Sequence, residues 1–338
     1  DTSKGAGITS PAEDNKPFGD NFDIDYVAHE LGHQVGAEHS FTFTIHSNVA
    51  ALEPGSGSTI MGYAGITSSN VQQHSDAYFH AVSILQANNY LNSQSCGTNT
   101  PITTNNPPVL AVMPDKTIPK GTAFVLTAAA TDAENDPMTY TWEQYDVASS
   151  SLTSVTGNNT TGPKFRSLLG TTDPSRYFPR LSSVLNGTLS SATNWEAVSN
   201  VARTMNFRVT VRDNNVDPTK QQTQFGNQKI TVGNDGPFKV TSTKVYNNIS
   251  GEFMWDVAGT SAAPYNVSNV KIDYTSHNGA TWNVLAAYTA NDGNEVLDFS
   301  NVADNAQITV RVSAIDNVFY AVGKVTASTM VNCNGTAP

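Results

Sequence analysis

The segment His29–His39 reads H-E-L-G-H-Q-V-G-A-E-H and decides how the first part of the chain folds. Residues four positions apart lie on the same face of an α-helix. His29 and His33 can therefore direct their imidazole rings at one metal ion, with Glu30 beside them. The spacing predicts a short helix whose polar face carries two metal ligands and one carboxylate.

A third histidine, His39, cannot reach the same ion from a continuous helix. Gly36 can end the helix in a left-handed backbone conformation, so the chain turns sharply and returns His39 toward the first two rings. Three neutral imidazoles leave one position of a tetrahedral Zn²⁺ site open for water, which is typical of catalytic zinc. The H-E-x-x-H core alone also fits a solvated helix with two incidental histidines, but the glycine and the third histidine weaken that interpretation.

A second segment, Ser58–Tyr63, reads S-T-I-M-G-Y. With the histidine segment it resembles the metzincin zinc peptidases, in which a methionine-containing turn lies beneath the metal. The resemblance places Met61 in that turn as a hydrophobic floor. Tyr63 matches the position where astacins and serralysins carry a tyrosine that can swing toward the metal and the transition-state oxyanion. A purely structural role for Tyr63 is an equal alternative.

Within this clan, residues 5–91 most resemble the reprolysin-like (M12B-like) peptidases of secreted bacterial proteins. The segments that carry the resemblance are D-I-D-Y-V-A at 23–28, E-P-G-S-G-S at 53–58 and S-D-A-Y-F-H at 75–80. Ser40 stands where snake-venom reprolysins have Asp, and the turn segment has no cysteine. The resemblance implies a secreted zinc endopeptidase that acts on proteins or peptides. Metal-activated water would attack the peptide bond, with Glu30 as general base.

Composition narrows the class of protein. The chain has 338 residues, 18 basic and 29 acidic, and a formal net charge of −11, so it has no basic footprint for nucleic acid. No apolar run approaches the ~18 residues of a membrane span, and no basic-plus-apolar leader is present. With only Cys96 and Cys333, a disulfide framework is excluded and two separate thiols are favoured over a bridge. We interpret the chain as a processed, exported protein.

Periodicity divides the chain into a helical and a strand-rich part. In residues 1–98, apolar spacing predicts a helix within 22–39 and a second one that begins at Ser75, a plausible N-cap. Residues 99–108 are rich in Thr, Asn and Pro and read as a linker. The predicted first part is the α-rich lower region of a metzincin α+β catalytic domain.

Beyond the linker, short runs of alternating polar and apolar residues predict β-strands. They favour two immunoglobulin-like β-sandwiches in tandem, at 109–236 and 237–338, with an extended insertion at 150–205. The predicted fold class is therefore multidomain, a partial metzincin domain followed by two all-β sandwiches. We expect that removing residues from about 105 onward leaves the peptide-bond chemistry in place.

An acidic turn in the first sandwich, D-A-E-N-D-P at 132–137, resembles the acidic turns of cadherin-like and polycystic-kidney-disease-like modules. The carboxylates of Asp132, Glu134 and Asp136 could bind calcium. A polar β-turn whose side chains cap their own backbone is the favoured alternative. The isolated histidines are expected to be surface or packing residues, and they are His46, His74, His80 and His277.

The N-terminal stretch is short for a complete metzincin domain, which places a twisted sheet before the zinc helix. Only 28 residues precede His29, and each strand needs ~5–6 residues. We therefore expect the chain to lack the upper half of that domain, with a cleaved N-terminal fragment as a partner. Two rival functions stay open. One is an adhesive or binding protein that acts through its sandwiches, and the other is a zinc amidase for small substrates.

Overall fold

The computed structural model describes residue 9, residues 17–98 and residues 100–331, and this part of the chain is mostly β-sheet with few helices. The helical segments are α1 (Asp20–Phe22), a π-helical turn (Asp23–Ala28), α2 (His29–Gln34), α3 (Ala81–Ser93) and α4 (Leu181–Leu185). Each helix in these described ranges is too short or too polar to cross a bilayer.

The strands lie between residues 109 and 328, which we call the strand part and which also contains α4. The described residues 17–98 are the helical part. The first ten strands are β1 (Val109–Leu110), β2 (Lys116–Ile118), β3 (Ala123–Thr127), β4 (Ala130–Thr131), β5 (Met138–Gln144), β6 (Ser175–Phe178), β7 (Ser190–Ser191), β8 (Glu196–Ala197), β9 (Arg203–Asp213) and β10 (Thr223–Val232). The remaining eight are β11 (Lys239–Val240), β12 (Lys244–Tyr246), β13 (Gly251–Asp256), β14 (Asn269–Thr275), β15 (Asn283–Ala290), β16 (Asn294–Leu297), β17 (Gln307–Ala314) and β18 (Phe319–Ser328).

The helix predicted around the histidines is shorter than residues 22–39. α1, the π-helical turn and α2 follow one another directly, and the helix ends at Gln34. Gly36 then has φ of 94°, in the left-handed region that favours glycine. The amide of Ala37 donates to the carbonyl of Gly32 at 2.9 Å and closes the last turn. The described residues 17–28 contain no strand, and the rest of the N-terminal stretch, apart from residue 9, lies outside the described residues.

The prediction that the closing helix begins at Ser75 is wrong. Helix α3 begins at Ala81, and the side chain of His80 caps it by accepting a hydrogen bond from the amide of Val82. The preceding backbone is tied to the methionine turn instead. The amide of Asp76 donates to the carbonyl of Ser58 at 2.8 Å, and similar bonding continues to residue 78. Because these groups bond across the chain, they cannot close helical turns.

A three-stranded sheet, β11-β13-β16, and two larger sheets share one hydrophobic core. One of the larger sheets has the order β2-β10-β9-β5, and the other has the order β15-β14-β17-β18-β3-β6 with β12 beside β18. β3 pairs antiparallel with β18, in the register Phe124 with Phe319. The core contains residues of both predicted sandwiches, from Ile118 to Ala327. The boundary predicted at residue 237 is therefore not a gap between two separate sheets.

The predicted linker is partly packed. Asn105 is buried, and its amide donates to the carboxylate of Asp213 at 2.7 Å. Cys96 is exposed just before this stretch, whereas Cys333 lies outside the described residues.

The insertion predicted at 150–205, together with the end of β5, packs against the helical part. Three small hydrophobic clusters combine residues from both parts of the chain. The clusters are Val71 with Val155, Trp195 and Ala197; Ala50, Leu52 and Val82 with Tyr145; and Ala51 and Ile45 with Ala148 and Leu152. Backbone hydrogen bonds join the same surfaces, from Gly55 N to Leu152 O at 3.2 Å and from Leu152 N to Thr42 O at 2.7 Å. The strand part therefore packs directly against the helical part.

Candidate metal centre

Three imidazole rings converge at the end of α2. The Nε2 atoms of His29 and His39 lie 3.2 Å apart, and those of His33 and His39 lie 3.1 Å apart. One ring nitrogen from each histidine lies within 4.8 Å of the others, which is the arrangement of a group that can hold a metal ion. The helical spacing brings the first two rings together, and the turn at Gly36 returns the third.

Backbone carbonyls fix the orientation of two of the rings. The Nδ1 of His29 donates to the carbonyl of Ile60 at 2.7 Å, and the Nδ1 of His33 donates to the carbonyl of Ala37 at 2.8 Å. A neutral ring protonated on Nδ1 keeps the lone pair of Nε2 free for a metal. Zinc-binding histidines typically donate a hydrogen bond from the ring nitrogen that does not face the metal, as these two do.

The environment of His29 and His39 also favours the neutral form of their rings. Burial lowers the pKa of His29. Burial and the neighbouring His33 and His29 lower the pKa of His39 to about 3. A metal displaces protons from its ligands, so imidazoles that are neutral at physiological pH need no further deprotonation to bind it.

His46 is a site residue that the sequence analysis did not identify. It was expected to be an isolated surface histidine, and it is exposed. Its Nδ1 lies 3.1 Å from the Nδ1 of His39, and both rings contact Phe41. When the Nε2 of His39 faces a metal, its Nδ1 carries the proton and donates to His46. No local spacing rule predicts this pair.

Glu30 and Tyr63 border the same site. The Tyr63 ring centroid lies 4.6 Å from that of His39 and 5.5 Å from that of His29. Burial and, to a smaller extent, the charge of Glu30 raise the pKa of Tyr63, and the same charge raises the pKa of His29. Glu30 is half-buried. The site therefore combines one carboxylate and one phenol that stays protonated at neutral pH with three imidazoles.

Met61 is fully buried directly beneath the helix. A Cβ added to Gly32 would lie 2.4 Å from the Met61 Sδ, so the thioether packs against the helix backbone at that glycine. Ile60 and Ala37 belong to the same cluster. Met61 therefore lies close to the helix that carries His29 and His33, and Gly32, for which the sequence predicted no role, leaves room for its thioether.

Glu53 is a buried carboxylate that links Ser40 to the methionine turn. Its Oε2 accepts hydrogen bonds from the hydroxyls of Ser40 and Thr59, both at 2.5 Å. Its Oε1 accepts from the amides of Ser58 and Thr59, at 2.9 and 3.2 Å. Ser40, which departs from the snake-venom pattern, therefore anchors the turn through Glu53.

Most carboxylate oxygens of the acidic turn considered for calcium accept hydrogen bonds within the protein, whereas the Oδ2 of Asp132 is buried without a hydrogen-bond partner. The Oδ1 of Asp132 accepts from the amides of Glu134 and Asp136, at 3.1 and 2.8 Å. The Glu134 carboxylate accepts from the Asn106 side chain, and that of Asp136 accepts from the Asn215 side chain. Among the described residues, the histidine triad is the one group of three or more His, Cys, Asp or Glu side chains whose ligand atoms converge. These hydrogen bonds are those of the favoured polar turn, and calcium binding stays a prediction.

Residues 1–91 match the family model described as metallo-peptidase family M12B, reprolysin-like. No curated protein matches the chain. Among solved structures, Drosophila N-cadherin EC1-4 is similar at 14% identity and a TM-score of 0.22, covering 67% of this chain and 51% of that one. The chicken CNTN1 FN1-FN3 domains are similar at 13% identity and a TM-score of 0.21, covering 66% of each chain.

The chain spans less than two thirds of the length of both structures. These TM-scores are too low to define the fold of the strand part, which is shown by its own strand pairing. The match of residues 1–91, together with the histidine triad, supports a metallopeptidase.

Proposed function

We propose that this protein is a zinc-dependent endopeptidase that hydrolyses peptide bonds in proteins or peptides. The observation that carries the proposal is the convergence of three Nε2 atoms, with two of the rings fixed by carbonyls through Nδ1. Three neutral nitrogen donors suit Zn²⁺ and leave a fourth position open. The donor set of His29, His33 and His39 therefore fits zinc.

The residues around the triad have separate roles in the proposed reaction. Zinc bound there would polarise the scissile carbonyl and lower the pKa of water toward ~7. Glu30 accepts the proton of the attacking water and returns it to the leaving amine. Tyr63, held protonated by burial and by the charge of Glu30, can donate a hydrogen bond to the oxyanion of the transition state.

The substitution Glu30→Gln tests this assignment because it removes the proton acceptor and preserves the shape of the side chain. We expect the variant to bind zinc with wild-type stoichiometry and to lose nearly all cleavage of casein and of a fluorogenic peptide. Asp23→Asn is the matched control, because Asp23 is an exposed carboxylate at the start of the π-helical turn on the same helix. Wild-type turnover in the Glu30→Gln variant would exclude the role of Glu30.

A second candidate function is binding by the strand part, which we take to be immunoglobulin-like. Exposed apolar side chains lie on β15 and β16, which are consecutive in the chain but belong to different sheets, at Val284, Tyr288 and Val296, and could contact another protein. Zinc analysis and casein cleavage with and without a chelator separate the two functions. A chain that binds protein but contains no zinc and cleaves nothing would favour the binding function. Cleavage of small amides without cleavage of proteins would favour the amidase.

A further inference from the structure

Ser167 of the insertion lies at the centre of a buried hydrogen-bond bridge to the helical part. It is 3% exposed. Its hydroxyl accepts from the hydroxyl of Tyr78 at 2.8 Å and donates to the Oε1 of Glu143 at 2.5 Å. Its carbonyl accepts from the hydroxyl of Ser58 at 3.2 Å. Ser167 therefore contacts both the methionine turn and the segment that runs alongside it.

Glu143, on β5, is the acidic end of this bridge. It is 1% exposed, and its Oε2 accepts from the amide of Ala81 at the start of α3, at 2.8 Å. His80 is also buried, and its Nε2 lies 3.7 Å from the Oε1 of Glu143, so its ring faces the strand part. A buried carboxylate is costly without hydrogen-bond donors. Glu143 is stable here because the helical part and Ser167 both donate to it.

The bridge continues to the metal centre through the backbone of the methionine turn. The carbonyl of Tyr78 accepts from the amide of Ile60 at 3.1 Å. The carbonyl of Ile60, in turn, accepts from the Nδ1 of His29 at 2.7 Å. The hydrogen bonds from Ser167 and Glu143 thus hold the segment that supports the Ile60 carbonyl, and that carbonyl orients a metal ligand.

We propose that Ser167 and Glu143 are positioning residues for the metal centre, supplied by the strand part of the chain. They fix Tyr78 and the methionine turn, which present the Ile60 carbonyl to His29. The inference rests on the proposed function in one respect, since it takes the three histidines to be zinc ligands. It assigns the strand part a role in metal binding besides any contact with substrate.

Two conservative variants of the full chain break the bridge from opposite sides. Ser167→Ala removes the central hydroxyl, and Tyr78→Phe removes only the donor on the helical side. Thr260→Ala is the matched control, because Thr260 carries a fully buried hydroxyl that is hydrogen-bonded to Asn291. Both residues lie in the second predicted sandwich, outside the bridge. All three lose a buried hydrogen bond, but only the first two lose one in the bridge.

Zinc affinity is measured by competition with a chromophoric chelator, and Co²⁺ substitution reports ligand geometry through its visible absorption spectrum. Removing direct partners of ligating histidines weakens metal binding about 10–100-fold. Because the bridge acts through Tyr78 and Ile60, we expect an increase in Kd at the lower end, about tenfold. The Co²⁺ spectrum should shift in Ser167→Ala and Tyr78→Phe and stay unchanged in Thr260→Ala.

Amide hydrogen exchange of residues 58–61 provides a readout that needs no metal. Faster exchange in the two bridge variants, but not in Thr260→Ala, would show that the bridge holds the methionine turn, whereas a wild-type chain that binds no zinc would overturn the proposed function and, with it, the role of the bridge in metal binding. Wild-type exchange, zinc affinity and Co²⁺ spectrum in both bridge variants would overturn it. An equal loss of affinity in Thr260→Ala would also overturn it, because the effect would then reflect general stability. If Ser167→Ala does not fold, Tyr78→Phe decides between these outcomes.

Discussion

Replacing Gly36 with alanine tests whether the turn after α2 delivers the third histidine to the metal. Gly36 has φ of 94°, and an L-residue in the left-handed region costs about 1–2 kcal/mol. An added Cβ would lie 2.7 Å from the Cβ of Tyr90 and 2.9 Å from its Cγ. These atoms lie near the backbone of α3 and cannot swing away as the end of a long side chain can. Overpacking of this kind costs about 1–3 kcal/mol.

The two effects together predict that Gly36→Ala lowers the free energy of unfolding by about 2–5 kcal/mol. Any relaxation that relieves the contact moves the turn, so His39 is displaced and zinc binding weakens. Urea unfolding in the presence of a chelator measures stability, and chelator competition measures zinc affinity. Gly97→Ala is the control, because a Cβ there meets no atom within 4 Å. In a Tyr90→Ala background the contacts with the ring atoms are removed but the contact with the Cβ remains, so the loss of stability should become smaller without falling to the backbone cost alone.

The reasoning would be refuted by a Gly36→Ala chain with wild-type stability and zinc affinity. A loss of affinity without any loss of stability would show that the backbone and packing costs are absent and that the turn acts on His39 by another route.

Three further predictions concern other parts of the molecule. His46→Ala should raise the zinc Kd about tenfold, because His39 loses its hydrogen-bond partner. His46→Asn keeps an acceptor and should bind zinc more tightly than the alanine variant. Equal zinc affinities in the two variants would exclude a role of His46 in orienting His39. Removing residues from about 105 onward should yield an insoluble or unfolded product, because the helical part loses Tyr145, Leu152 and Trp195 from its clusters. A soluble, zinc-binding truncated chain would contradict this and restore the expectation drawn from the sequence. Burial lowers the pKa of Lys164 from 10.5 to about 7, so the unfolded chain binds more protons between these values and the free energy of unfolding should rise with pH across that window. Lys164→Met should flatten that rise in pH-dependent urea unfolding, and an unchanged slope would show that Lys164 does not cause it.

The sequence alone predicted the three histidines that converge in the candidate metal centre. The positions of His29 and His33 follow from helical periodicity, and the turn at Gly36 follows from backbone sterics, so both depend on residues close together in the chain. Strand-rich character beyond the linker is likewise a local signal of alternating residues. Local signals failed where distant groups competed for the same backbone. Ser75 does not cap a helix, because the backbone that follows it is hydrogen-bonded to the methionine turn.

Only the tertiary structure decided the contacts between distant segments. The pairing of His46 with His39, the burial of Glu53 under the turn and the contact of Ser167 with Tyr78 have no periodic signature. The same holds for the pairing of β3 with β18, which joins strands from the two predicted sandwiches. The contacts of Glu53, Ser167 and β3 form because a buried polar group or an open strand edge needs a partner. Which partner it finds is set by how the whole chain packs, and no spacing of residues along the sequence encodes that choice.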